Sequence, residues 1–251
     1  MGGVTFQRAR TDEQRNQRRT QILDAAAAML TEMPVAKLSL NALSRRSCLA
    51  KANVLRYFES REAVLLELLD AEIQGWITEF ERGYPPGDGT PAERGDRLAD
   101  ALAVSISQRP VLCDLLSEQP AVLEHNISTD LAIQHKRAAL GSMGRLIGLI
   151  ARHVPELGED GAAALAETTL LMVMAVWPCS RPSEAMLAAY GSDPELAAMR
   201  VDFIATVRRT AAVTASGLLA RAGTGSSANA PARAVRFTGE ADGRGIAAGE
   251  R

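Results

Sequence analysis

Lys51, Asn53 and Arg56 are the residues whose types and spacing best fit a chemistry. They alternate with Val54, Leu55 and Phe58, so a short helix there turns polar groups outward and apolar groups inward. Lysine and arginine donate to the paired acceptors of a guanine edge, and an asparagine amide matches the donor and acceptor of an adenine edge. That is recognition through hydrogen bonds, without bond breaking. Asn41 and Arg45, one short segment earlier, are placed to reach the same surface.

Two short amphipathic segments carry these side chains. Ser39 is a good N-cap, because its hydroxyl accepts from a free backbone N–H of the next turn. Leu40 and Leu43 then form an i, i+3 stripe, with Arg45 and Arg46 on the other side. Ser47-Cys48-Leu49 breaks the pattern, the second segment follows, and Ser60 caps a longer helix. Helix, tight turn and polar-faced helix is the arrangement that holds a reading helix in a DNA major groove.

This stretch resembles the DNA-binding end of the tetracycline-repressor (TetR) family. The family pattern is matched by Ser39-Leu40, Leu43-Ser44, Ser47-Cys48-Leu49-Ala50, Ala52, Val54-Leu55-Arg56-Tyr57-Phe58 and Arg61-Glu62-Ala63-Val64. The good match spans about residues 15–75; beyond it, the chain is Ala/Leu-rich and helical in pattern. In three places this chain departs from the family. Cys48 stands where a glycine is expected in a left-handed turn, Ala50 replaces a capping serine, and Leu55 replaces a tyrosine that touches phosphate. The resemblance implies contacts with double-stranded operator DNA from Ser39, Asn41, Arg45 and Arg46, and from Lys51, Ala52, Asn53, Arg56, Tyr57 and Arg61. Tyr57 and Arg61 are expected to anchor phosphate, helped at Arg61 by the free N–H groups of a helix start.

Charge distribution agrees with a polyanionic partner. The net charge is −2, but residues 1–61 carry 11 Lys and Arg against 5 Asp and Glu, a balance of +6, while residues 62–251 carry 17 against 25, a balance of −8. Arg15, Arg18 and Arg19 sit near a helix start, where the helix dipole disfavours cations, and phosphate contact is the reading preferred for them over a solvated face.

Catalytic patterns are missing from the sequence: no G-x-S-x-G, Walker loop, S-x-x-K, H-E-x-x-H or E-x-x-H pair is present. A lone histidine on a helix is ordinarily a surface or satisfied core residue, the reading given to His125, His135 and His153. Cys48, Cys113 and Cys179 are far apart and include no C-x-x-C, which supports neither a disulfide framework nor zinc. No cofactor or metal is expected. The run Leu170 to Trp177 is too short to span a bilayer, and the polar, arginine-rich start does not look like a signal peptide. A reduced, cytoplasmic protein without a membrane partner is expected.

The aromatic fraction is only 4%, so Ala and Leu must fill the core, which favours helices. The fold class expected is all-α: a three-helix, homeodomain-like helix-turn-helix domain followed by a larger helical domain. The expected divisions are a flexible basic arm over 1–14, the DNA-binding domain over 15–61, a ligand-binding and dimerisation domain over 62–222 and a disordered tail over 223–251. Capping-box spacing at Thr11 opens a first helix that Pro34 stops, with Ile22, Ala25, Ala26, Met29 and Leu30 inside. Leu65, Leu69, Trp76 and Phe80 trace a helix over about 61–82. Further helices are expected at 91–108, at 110–118 with Pro120 closing it, up to His153 from either Val122 or Ser128, at 183–190, and over 194–222. For the helix ending at His153 the expected inner stripe is Ile133, Leu140, Gly144, Ile147 and Ile150. Residues 162–177 are apolar nearly all round and are expected to be buried on both sides.

The resemblance also implies a homodimer and a pocket for an unidentified small-molecule effector of apolar or mixed character. Trp76, Phe80, Ile106, Leu112, Leu116, Met143, Met172 and Trp177 are candidates to line that pocket, with core packing as the plainer reading of each. Met174, Ile204, Val207, Ala211, Ala215 and Leu218 are candidates for the dimer interface. The resulting expectation is a regulator, a ligand-responsive repressor on a palindromic operator. Its alternatives are a constitutive DNA-binding protein and an all-helical enzyme with a hydrophobic bundle pocket.

Overall fold

The computed structural model describes residues 3–223, with side chains from residue 13 onward. Among these the chain is helical, with no strand. The helices are α1 (Gly3–Leu30), α2 (Leu40–Arg46), α3 (Lys51–Val54), α4 (Arg61–Gly83), α5 (Pro91–Ser107), α6 (Pro110–Glu118), α7 (Thr129–His153), α8 (Gly158–Cys179), α9 (Glu184–Ser192), α10 (Pro194–Ala197) and α11 (Phe203–Gly223). From residue 224 on, the expected tail lies outside the described residues.

Local signals set most boundaries. Ser39, Ser60 and Ser128 accept from the backbone N–H of Ala42, Ala63 and Leu131 at 3.2, 3.1 and 3.2 Å. Thr90 and Glu93 form a reciprocal capping box just before Pro91. Three boundaries differ from expectation. Helix α1 begins at Gly3 rather than after Thr11, so the expected arm is helical from residue 3: capping residues end a helix only if the chain turns away, and nothing here forces it to. Pro120 does not close the α6 segment. The chain runs on as a π-helical turn over Gln119–Leu123, with Glu124 N–H donating to the Gln119 carbonyl at 3.1 Å, and the wider turn accommodates the missing proline N–H. The expected helix over 194–222 is split, and α11 restarts where Asp202 accepts from Ala205 N–H at 2.7 Å.

Helices α1 to α3 make the first domain, closed by Ile22, Ala26, Met29, Leu43, Val54 and Phe58, all buried. Helix α4 runs from that domain into the second, where it packs against α5, α6 and α7, and α8 and α11 pack in turn on these. The buried face of α7 is His135, Ser142, Leu146, Leu149, Ile150 and His153, which corrects the expected stripe: Ile133 and Leu140 are exposed. Small and apolar residues on both sides of α7 leave its sequence without a clear inward direction. The expected double burial of α8 is also corrected. The helix is long and apolar enough to cross a membrane by composition alone, but in this fold it packs against α6, α7 and α11 and leaves Leu171 56% exposed.

Cys113 is fully buried and donates to the Ile106 carbonyl, whereas Cys48 and Cys179 are exposed. Burial, with the Asp114 carboxylate adding to it, pushes the Cys113 thiol from 9.0 up to about 12. The unfolded chain ionises this thiol near pH 9 and the folded chain does not until about 12. The stabilisation from burying it neutral is therefore complete below pH 9 and lost as pH rises across that window. A maleimide at neutral pH is expected to label Cys48 and Cys179 quickly and Cys113 only after denaturant is added; fast labelling of all three by mass spectrometry is the contrary result.

Candidate nucleic-acid interface

The motif surface is built on a tight turn. Ser47 Oγ donates to the Leu43 carbonyl at 2.8 Å, Ser44 Oγ to the Leu49 carbonyl at 2.6 Å, and Leu49 N–H back to the Ser44 carbonyl at 3.1 Å. Gln21 on α1 donates to the Ser47 carbonyl at 3.0 Å and so fixes the turn to the first helix. Cys48 has φ 54°, the left-handed region expected at this position. A Cβ there costs about 1–2 kcal/mol. Cys48→Gly is expected to raise stability by about 1 kcal/mol after the glycine's greater unfolded-state entropy is subtracted. The measurement is the shift of the urea midpoint; no increase means that the turn carries no strain.

Helix α3 has no side-chain cap at Ala50, as its sequence implied, and spans only Lys51–Val54. Turn-type hydrogen bonds from Arg56, Tyr57 and Phe58 continue its path. Buried Val54 and Phe58 root it, and Lys51, Ala52, Asn53, Leu55 and Arg56 face solvent. Ser39, Asn41 and Arg45 are also exposed. The side chains of Asn41, Arg45, Lys51, Asn53 and Arg56 make no hydrogen bond or ion pair with another described residue. A groove of about 850 Å³ between α1 and the motif brings Arg15, Arg18 and half-buried Tyr57 beside Arg56.

Three other arginines are tied into the fold. Arg46 pairs with Glu32 at 2.6 Å, on the stretch after α1. Arg61, expected to anchor phosphate, donates to the Leu38 carbonyl at 3.1 Å and pairs with Glu62 at 2.9 Å. Arg19 pairs with Glu67 on α4, donates to the Tyr57 carbonyl at 2.6 Å and lies over the Phe58 ring at 4.4 Å. It clamps the motif onto α4, a correction to its grouping with Arg15 and Arg18. The Glu59 carboxylate accepts from Ser128 N–H at 2.7 Å, at the start of α7, and gives the motif a second link to the larger domain. These partners are 48 and 69 residues apart in sequence, and no local pattern announces either contact.

Comparison with known proteins agrees with this architecture. Residues 22–68 match the model for bacterial regulatory proteins of the tetR family, and residues 70–222 match the model for the tetracyclin repressor-like C-terminal domain. The chain belongs to the TetR family. It is therefore a DNA-binding transcriptional regulator with an amino-terminal helix-turn-helix. Among solved structures it is similar to the fatty acid degradation regulator FadR from Bacillus halodurans, with 14% identity, 79% of this chain and 98% of that chain covered, and a TM-score of 0.51. It is similar also to a TetR transcriptional regulator from Rhodococcus sp. RHA1, with 17% identity, coverage of 82% and 98% and a TM-score of 0.50. A putative transcriptional regulator from Pseudomonas aeruginosa PAO1 gives 15% identity, coverage of 83% and 93% and a TM-score of 0.50. At these identities the likeness is one of fold. No curated protein matches.

In the TetR C-terminal domain the side chains expected to line a pocket are mostly core. Trp76 Nε1 donates to Ser105 Oγ at 3.1 Å, and the ring meets Phe80 edge-on at 6.3 Å. Ile106, Leu112 and Leu116 are buried beside them, while Met143 and Met172 are half-buried. Trp177 donates to Asp114 at 2.7 Å and is covered by Arg181. A cleft of about 600 Å³ lies at the end of the domain away from the motif, lined by Tyr84, Pro85, Arg97, Leu98, Ala101 and His153. Both buried histidines are satisfied: His135 meets Asp70 at 3.0 Å and Gln119 at 3.2 Å, and His153 meets the Leu149 and Tyr84 carbonyls at 2.8 and 2.9 Å.

The expected interface set divides. Val207, Ala211 and Ala215 are each 1% exposed within the single chain and so belong to its own core, a correction. A Cβ added to Gly95 of α5 would lie 3.5 Å from Ala215, so the small residues of α11 serve the close α5–α11 crossing. Met174, Ile204 and Leu218 are half-buried and pack against the core, while Leu171 and Ala175 on α8, and Ala205 and Val213 with Arg209 between them on α11, form an outward face.

Proposed function

We propose that this regulator is a ligand-responsive repressor that binds a palindromic operator as a two-fold dimer in the cytoplasm. The observation carrying the reading is the division of its cations: Arg45, Lys51 and Arg56 are free on one exposed motif surface with Asn41 and Asn53, while Arg19, Arg46 and Arg61 hold the fold. Lys51, Asn53 and Arg56 read base edges, with Asn41 and Arg45 reaching from α2 and Ser39, Ala52 and Tyr57 near the backbone. Arg15 and Arg18, across the groove from Arg56, add phosphate contact. Two outward α8–α11 faces pack as four helices, which places two motifs in successive major grooves, roughly 34–36 Å apart. An apolar or mixed effector in the larger domain shifts that spacing through α4 and α7, to which Arg19 and Glu59 tie the motif.

Selection of bound fragments from genomic DNA tests the reading, with a palindromic motif as the expected result. Asn53→Ala is expected to relax one base position in each half-site at a cost of about 1–3 kcal/mol. Arg15→Ala is expected to weaken binding to all sequences alike and to lower the salt slope by about one unit, and Arg61→Ala to leave the slope unchanged while lowering stability. An unchanged motif with Asn53→Ala removes it as a reader. A thermal shift with candidate effectors separates a sensor from a constitutive binder, because a ligand held only by the folded state stabilises it.

A further inference from the structure

Residues 181–202 leave the end of α8 and return at the start of α11, carrying α9 and α10. The two short helices are locally well specified: Ser183 Oγ accepts from Met186 N–H at 3.4 Å, and Asp193 from Glu195 N–H at 2.8 Å. They pack on each other, and no residue of either is buried. Met186, Leu187 and Leu196 are exposed, and Met199 is 67% exposed. Helices this short do not persist in water without a packed face, and among the described residues they have only each other, with Ala189 and Tyr190 half-buried.

A surface that no other described residue covers lies on α7. Ile133 and Leu140, one heptad apart, both face solvent, and Cβ atoms on nearby Gly141 and Gly144 would meet nothing within 4 Å. Arg137 lies between them, exposed and without an ion pair to a described residue. The charges of the two surfaces are complementary: between Arg181 and Arg200 the arm holds Glu184, Asp193 and Glu195 and neither Lys nor Arg. An acidic arm is repelled by nucleic acid and by anionic lipid, which leaves a protein surface as its cover. The arm is also continuous with the outward α8–α11 face, since it joins the two helices of that face.

We infer that the arm clasps a second copy of this chain. Met186, Leu187, Leu196 and Met199 of one protomer lie on the Ile133–Leu140 stripe of its partner, and the arm carboxylates face the partner's Arg137. The inference rests on the two-fold dimer proposed above and adds a second contact to it. It also places each arm on the helix whose start holds Glu59 of the neighbouring motif, so each protomer touches the DNA-binding link of the other.

The test uses the full chain in sedimentation equilibrium. Leu196→Glu with Met199→Glu changes only exposed residues and is expected to leave far-UV circular dichroism unchanged while weakening the dimer about 10- to 100-fold. Ile133→Glu is expected to do the same, with much less than the summed effect when all three changes are combined, because both surfaces belong to one contact. A photo-crosslinker at position 199 is expected to join two protomers through residues 133–140. A wild-type dimer that the arm variant leaves intact, or a crosslink confined to one chain, overturns the clasp and spares the α8–α11 dimer. A monomeric wild type overturns both.

Discussion

Val213→Glu is expected to give a folded monomer that binds its operator about 10²- to 10⁴-fold more weakly. Val213 is 67% exposed on the outward face of α11, and Leu171, 56% exposed, is its counterpart on α8. A charge at either site leaves the fold of the single chain nearly unaffected, within about 0.5 kcal/mol. Across the proposed two-fold axis that charge is desolvated and brought near its own copy, which destabilises the dimer even with Arg209 one turn away. The DNA contacts of each half remain, but the second half-site no longer binds as part of the same molecule, and the avidity is lost. Sedimentation gives the mass and a titration at fixed salt gives the affinity, which must be held at one ionic strength to be comparable. If both Val213→Glu and Leu171→Glu remain dimers at micromolar concentration, the interface is not on this face.

Val207→Glu, six residues earlier on the same helix, is expected to destabilise the fold of the single chain strongly. Val207 is 1% exposed and belongs to the surface of α11 that packs against α5 and α8. A carboxylate there gains no cation and loses its water, at about 3–5 kcal/mol. Domains of this kind are stable by only about 5–15 kcal/mol, so a large part of the margin disappears. The expected result is a markedly lower urea midpoint, or poor recovery of soluble protein, with no monomer that remains as stable as wild type. A soluble Val207→Glu chain with wild-type melting behaviour contradicts this packing. The two valines together separate core from interface on one helix, a distinction that a single substitution does not make.

The sequence by itself determined the order of helices in the first domain and the identity of its motif, because those signals act within one turn. The Ser39 and Ser60 caps, the stop at Pro34, the Ser47–Leu49 break and the left-handed Cys48 all lie where local spacing put them. Family membership was legible for the same reason. Tertiary structure decided which charges are available and which apolar faces point inward. Arg19, Arg56 and Arg61 look alike in sequence, but Arg19 has a carboxylate and a carbonyl from distant segments, Arg61 takes the Leu38 carbonyl, and Arg56 has neither. An arginine's role depends on what lies within hydrogen-bond reach, and chain crossings set that. Helices α7, α8 and α11 posed the second problem. Each has apolar or small residues on opposite sides, so its hydrophobic pattern has no single direction, and only packing against α4, α5 and α6 shows that Val207 and Leu146 face in while Val213, Leu171 and Ile133 face out.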